Sequence, residues 1–567
     1  MNHIRFIFIV TFCFGVLALV NYGKLPKTFF QQDEWAVFGY HISADKLGLN
    51  LYNRLFIHEQ ETHMVPLSNL ATLVQYRLFG LRFAPYGWIA VGLHFANTLL
   101  VFWLAMVLIK RRWLALLAGI FFLINSIPHQ AITWVATTTG TAGSTTVFLL
   151  SFIAFIQYIQ KKERPIWLLG LVMLLFLVSL GFKETTVFGF FLFPVVWVLL
   201  INKRRFRAGV HVGGAIFFSG LFYLLARFFI LMQRPAISIS PEVVAQPSLG
   251  VYLFRTIAVP IRVFVQSFLP EQFHLTMSRL LLRLAYPTFI IGGVPNPYLV
   301  ESVAADIVTL FALLGIATVV AGVGRYFQKT RQSHLSKALS VGFVFTLLSA
   351  LPFVFVPGRA GYNALLDGRH LYLTSTFTSI LAASILVGAT QILGKRKILI
   401  VALFVVVFTM SFYHIRKIRK DIDDQIAIGN LRQSILRTVI ASAPNLPRRA
   451  VFYVESDRPY YGLQEPIVPF QSGFGQVLLV WYNANGADLP TCLFDREYLY
   501  VLLEENFKEC QGRGFGYFRK TLTFNNALKI YHFQPNEIFA FRFISATNTF
   551  KDMTIEIRSK LDRFGSL

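Results

Sequence analysis

Charge is what this sequence has least of. Lys, Arg, Asp and Glu make up only 14% of 567 residues, while 55% are hydrophobic and the mean hydropathy is +0.57. A water-soluble chain of this length would need far more charged surface, which excludes that class. Acidic residues are scarcer still: 28 Asp and Glu stand against 53 Lys and Arg, for a net charge of +25. Cysteine occurs three times, with no Cys-x-x-Cys and no Cys/His cluster on which to base a structural zinc site. A cleavable signal peptide is also missing. Residues 4–20 are apolar behind a short segment with His3 and Arg5, but Asn21-Tyr22-Gly23-Lys24 offers no small-x-small cleavage site. The segment reads as a retained first span.

What is present is a series of long apolar runs. They fall near 4–21, 86–109, 113–127, 141–159, 166–182, 186–201, 209–232, 302–323, 338–356, 371–391 and 398–415. Each span needs roughly 20 apolar residues, and tilt or polar ends extend the short ones, so the chain predicts about eleven transmembrane helices. No alternating barrel pattern appears, and backbone groups in lipid must bond internally, so the spans are helical. The 58 phenylalanines suit helices with lipid-facing sides.

The excess positive charge has a membrane explanation. Lys110-Arg111-Arg112, Lys161-Lys162, Lys203-Arg204-Arg205, Arg325 to Lys337 and Lys395-Arg396-Lys397 sit in short turns between spans. With the N-terminus cytoplasmic, all of them fall inside, as the positive-inside rule requires. A nucleic-acid reader would concentrate such charge on a soluble domain, so no nucleic-acid partner is expected. The loops 22–85, 233–301 and 357–370 then face outward. Residues 251–269 carry Arg255, Pro260 and Arg262 and read as an interfacial or re-entrant helix. One feature runs against this threading. Arg416, Lys417, Arg419 and Lys420 follow the last span on the outer side, which leaves the count open by one near 250–300.

Composition shifts after residue 421. The expected division is a membrane domain over 1–421 and a small extracytoplasmic domain over 422–567, α/β or mainly β. Gln476–Tyr482, Phe541-Arg542-Phe543 and Met553–Ile557 read as strands. Cys492 and Cys510 could pair there in an oxidising compartment, or stay as separate thiols.

Polar residues capable of chemistry gather in the outer loops. Asp33 and Glu34 come first. A carboxylate near the membrane surface can take the proton of an acceptor hydroxyl as it attacks a sugar carbon. Trp35 and Tyr40 beside them offer interfacial anchoring or a sugar-stacking face. His58, Glu59 and His63 could suggest a divalent metal, but the spacing is not His-Glu-x-x-His, so no metal is assigned. His63 reads alternatively as an acceptor or phosphate contact. His129, in the turn Pro128-His129-Gln130 ahead of Trp134 and Thr137–Thr141, can contact an acceptor or cap the turn. Lys183-Glu184-Thr185 interrupts two apolar runs. Lys183 suits a phosphate, with Glu184 holding it, or else the two tie helices together. The last cluster is Arg359, Tyr362, Asp367, Arg369, His370 and Tyr372. The planar fork of Arg369 suits phosphate oxygens, Tyr372 can donate a hydroxyl, and Arg359 is a further phosphate candidate or a loop-solubilising residue.

In their order, these landmarks resemble the GT-C superfamily of membrane glycosyltransferases, over about residues 1–415. The nearest likeness is to the protein O-mannosyltransferase branch (glycosyltransferase family 39), including the transmembrane-and-tetratricopeptide-repeat mannosyltransferases. The pieces are Asp33-Glu34, Pro66-Leu67 before Tyr76–Leu81, Pro128-His129 before Trp134-Val135-Ala136, Lys183-Glu184-Thr185, and Gly368–Ser375. The resemblance implies a GT-C-like fold, a polyprenyl-phosphate-linked sugar as donor substrate and inverting transfer; no cofactor is assigned, and a divalent metal stays open. It makes Asp33 the base, with Glu34 second, and Lys183, Arg369 and Tyr372 the donor-phosphate contacts. The sequence also departs from that branch. Ala131 stands where an acid is usual, Thr374 where a proline is usual, and 422–567 has no 34-residue helical period. The acceptor is therefore expected to be a cell-envelope glycan, lipid or protein, at a prokaryotic inner or plasma membrane. The rival readings are a lipid-linked glycan flippase or transporter, which should show internal repeats, a polysaccharide polymerase or ligase, and a noncatalytic assembly protein.

Overall fold

The structure is a computed structural model. It describes residues 3–31, 33–57, 63–161, 165–200, 206–234, 249–285, 297–355, 366–394, 396–457, 469–470, 473–502 and 505–564. His58, Glu59, Arg359 and Tyr362 lie outside the described residues.

Each of the eleven apolar runs falls on helix, as it must if backbone groups are to be satisfied without water. Among the described residues, nine helices are long and apolar enough to cross a membrane, and Arg112–Leu123, Ile166–Phe182 and Glu184–Leu200 are shorter apolar helices. The fifth of the nine, and the one outside the eleven apolar runs, is Leu249–Gln266, a continuous helix with Pro260 inside it. Its Arg262 forks onto Asp306 of the helix Pro297–Lys329, at 2.7 and 2.5 Å. The polar run Thr137–Thr141 is part of the helix Val135–Gln160. There Thr138 bonds back to the Trp134 carbonyl at 3.1 Å, which satisfies its hydroxyl without leaving the helix. The last span belongs to a single 46-residue helix, Lys397–Ser442, which carries Arg416 to Lys420 without interruption.

The chain divides into two compact units. One comprises Met1–Gly23, Glu61–Ser68 and Ile89–Lys420; the other comprises Lys24–Gln60, Asn69–Trp88 and Asp421–Leu567. Most of the early outer loop thus shares a unit with the C-terminal region. Its helix Asp33–Lys46 packs Gly39 against Leu499 and Val480, and Lys46 donates to the Leu489 carbonyl at 2.6 Å.

The C-terminal region is α/β. Its strands are β1 (Arg449–Ser456), β2 (Asn506–Cys510), β3 (Arg513–Phe518), β4 (Ile538–Ile544) and β5 (Thr549–Asp552), in the sheet order β2-β3-β1-β4-β5. β1 runs parallel to β3 and β4, while β2 and β5 pair antiparallel at the edges. Central β1 is buried over nearly its whole length, as a doubly covered parallel strand should be. Residues 541–543 lie on β4 as expected. Gln476–Tyr482 does not form a strand: it is part of the helix Phe474–Ala484. A continuous apolar run has no period to separate a buried strand from a buried helix, and here almost every side chain is buried. Residues 553–557 differ for another reason. Asp552 accepts the Thr554 amide at 2.7 Å and starts the helix Thr554–Phe564. Cys492 and Cys510 form a disulfide.

Candidate functional site

The first unit gathers cations where the helix Ile166–Phe182 ends. Helix geometry stops at Lys183, whose extended backbone leads into the 3-10 turn Glu184–Phe188. The break sends adjacent side chains to different partners. Lys183 Nζ donates to the Thr141 hydroxyl at 2.6 Å. Glu184 turns elsewhere. It accepts the Met64 amide at 2.9 Å, meets His63 Nδ1 at 3.1 Å, accepts the Tyr223 hydroxyl at 3.4 Å and pairs with Arg227. Glu184 therefore does not hold Lys183 in place; it ties residues 63–64 to the helix Phe206–Met232. Arg234 adds a further cation, donating to the His63 carbonyl at 2.9 Å.

Arg369 completes the cluster. It lies on the 3-10 turn Gly368–Leu371, which leads into the helix Tyr372–Leu393. Its guanidinium stacks 4.2 Å from the Trp134 ring and contacts Asp367 at 3.2 Å. Its Nε is buried and has no hydrogen-bond partner among the described residues. Gly368 is required here. A Cβ at this position would stand 2.2 Å from the Ile127 carbonyl oxygen, so the turn packs directly on the Ile127-Pro128-His129 segment. Lys183 is half-buried, and burial followed by the positive charge of Arg369 pulls its ammonium down to about 8. The charge of Arg369 acts on Lys183, so the two cations share one electrostatic environment.

Tyr372 does not join them. Its side chain is fully buried, and its hydroxyl bonds to His94 Nδ1 at 2.8 Å and to Asn97 at 3.3 Å. Asn97 in turn reaches the Ala142 carbonyl and accepts the Thr146 hydroxyl. Tyr372 thus completes an interior polar network rather than a phosphate site, its ring packed on His94 and Phe122. His129 sits in its turn with Nδ1 on the Ser126 carbonyl, beside a bond of 2.7 Å between Ser126 and His414. His63 is exposed.

In the second unit, Asp33 and Glu34 open the helix Asp33–Lys46. Asp33 is exposed. Glu34 is buried and accepts the Gln31 amide at 3.2 Å, which ties its carboxylate to the helix start. Trp35 is fully buried, with its ring among Phe29, Phe30, Phe38 and Trp481. It is a core residue and presents no face to a sugar. Nearby, Asp45 accepts from both Arg54 and Arg77. Burial raises its carboxyl, but those bonds outweigh burial and leave it below the usual range.

Sequence reasoning missed Arg227 and Trp134. Arg227 had a signal: an arginine inside the apolar run 209–232 is costly without a partner, and Glu184 is that partner. Trp134 had none, since nothing local marks an aromatic as a shelf for a guanidinium more than 200 residues on. Among the described residues, no three His, Cys, Asp or Glu side chains converge as metal ligands.

No protein-family model matches the chain, and no curated protein matches it. Among solved structures it is similar to the crystal structure of the Archaeoglobus fulgidus oligosaccharyltransferase in the apo form. The identity is 12% and the TM-score 0.38, over 80% of this chain and 62% of that one.

Proposed function

We propose that the chain is an inverting, GT-C-like glycosyltransferase that moves a sugar from a polyprenyl-phosphate-linked donor to a cell-envelope glycan, lipid or protein on the extracytoplasmic face. The observation that supports this reading is that Lys183, held by a neutral hydroxyl, feels the charge of Arg369, whose buried Nε–H lacks an acceptor among the described residues. Two such cations in one electrostatic environment ask for an anion, and a phosphate supplies both charge and acceptor oxygens. Leaving-group phosphate gains negative charge as the sugar–oxygen bond breaks, so cations placed there favour the transition state over the bound donor. The acceptor hydroxyl attacks the anomeric carbon from the opposite side, inverting it. Asp33 takes the hydroxyl proton, and the prenyl phosphate departs as an anion that needs no separate general acid. Exposure of Asp33 suits that role, while Glu34 is committed to its helix. The disulfide Cys492–Cys510 fits an oxidising compartment for the second unit.

The test is sugar transfer from a panel of radiolabelled polyprenyl-phosphate sugars to envelope acceptors, using full-length protein in proteoliposomes. Wild type is expected to transfer, and Asp33→Asn to lose transfer by about 10²-fold or more while still binding donor. Equal rates for both would remove Asp33 from the mechanism. Donor binding without transfer to any acceptor would move the protein to the transporters.

A further inference from the structure

Arg369 sits on a segment that cannot hold its own shape. The 3-10 turn Gly368–Leu371 is four residues long, and at its start the His370 amide donates to the Asp367 carbonyl at 2.9 Å. A single turn of this kind closes too few backbone bonds to be stable alone. What packs on it therefore decides where Arg369 points.

The helix Leu249–Gln266 supplies that support. Val259, Val263 and Gln266 recur at i, i+4 and i+7, which places them on one face. Val263 is fully buried in a cluster with Ala350 and Leu371, and Val259 and Leu366 pack against the same cluster. The two apolar ends of the segment, Leu366 and Leu371, are thus held together, with Asp367, Gly368 and Arg369 between them. Gln266 adds a polar clamp. Its carboxamide oxygen accepts the Leu366 amide at 3.2 Å, and its carboxamide nitrogen donates to the Leu366 carbonyl at 3.3 Å. One side chain satisfies both backbone groups of one residue, as a neighbouring strand would. Gln266 is only 2% exposed, so water does not stand in for either bond.

The helix is anchored in its turn. Arg262, one helical turn before Gln266, forks onto Asp306 of Pro297–Lys329. The support thus runs from Asp306 through Arg262 and Gln266 to Leu366, three residues before Arg369. The stack of Arg369 on Trp134, at 4.2 Å, forms only if the turn arrives at the right place.

We infer that Gln266 is a positioning residue for the phosphate-binding site: by holding both backbone groups of Leu366, it sets where Arg369 presents its guanidinium. The phosphate in this statement rests on the proposed function; the position of Arg369 rests on the geometry alone.

The test uses full-length protein in proteoliposomes and Gln266→Met, which roughly keeps the side chain's volume and removes both bonds. Two readouts separate position from function. The first is the rate at which phenylglyoxal modifies Arg369 with no ligand present, followed by peptide mass spectrometry. Wild-type Arg369 has its Nε buried, and loss of the two bonds should speed modification at least about fivefold. Ser151→Ala, which removes a buried bond to the Val172 carbonyl at 2.8 Å, should leave that rate unchanged. The second readout is binding of a radiolabelled polyprenyl phosphate that bears no sugar. Gln266→Met should raise its Kd at least about fivefold, and should add nothing in an Arg369→Leu background, because the two residues act as a unit. A glutamine with a merely structural role would add its loss to that of Arg369. Thermal unfolding checks the variants. If Gln266→Met does not fold, Gln266→Asn keeps the amide, is one methylene too short for both bonds, and should show both effects. An unchanged modification rate in a folded variant, equal acceleration by Ser151→Ala, or additive losses in the double variant would each overturn the assignment. Faster modification in a wild-type background that binds no polyprenyl phosphate would count against the proposed function and leave Gln266 as the residue that places Arg369.

Discussion

Removing the charge of Lys183 tests the cationic site most directly. Its ammonium bonds to a neutral hydroxyl, so Lys183→Met breaks no ion pair and leaves only Thr141 without its donor. A charge-assisted hydrogen bond to phosphate contributes about 1.5–3 kcal/mol, and the loss predicts a rise in donor KM of roughly 10- to 150-fold. The wild type carries its own control. With the ammonium pulled down to about 8, Lys183 is charged below that pH and neutral above it. Donor KM should therefore be flat up to about pH 8 and climb toward about tenfold per unit beyond it, since only the protonated form grips phosphate. Lys183→Arg keeps its charge across that range and should abolish the climb, whatever it does to the absolute KM. The assay is initial-rate transfer in proteoliposomes from pH 6.5 to 9.5, with buffer identity varied at constant ionic strength. A KM for Lys183→Met within about twofold of wild type would refute the phosphate role outright. A wild-type KM that stays flat through pH 9 would refute the depressed ammonium.

Two further substitutions separate structure from chemistry. Tyr372→Phe leaves His94 and Asn97 short of a buried partner and should lower stability by about 1–3 kcal/mol, with donor KM unchanged; a thermal melt together with KM decides it, and a raised KM with an unshifted melt would return Tyr372 to the phosphate site. Cys492→Ser opens a loop with a sequence separation of 18 and should cost about 3 kcal/mol in the second unit; the reading is a limited-proteolysis series with and without reductant, and identical digestion of wild type and variant would show that the bridge contributes nothing.

How far the sequence speaks depends on whether the physics involved is local. Burying backbone in lipid demands a helix wherever about 20 apolar residues run together, so all eleven runs were legible without any partner. Lys183 and Arg369 stood out because charge at the edge of an apolar run is costly and needs a partner. Tertiary structure decided which neighbours the polar groups meet. Packing on His94 and Phe122 put Tyr372 in the interior, while Arg369 lies against Trp134. The break at Lys183 sent Glu184 to Arg227 rather than to its neighbour. The Gln31 amide claimed Glu34 and left Asp33 exposed. That Phe474–Ala484 is a helix was not legible in the sequence, because burial on nearly all sides erased the period that would have told it from a strand.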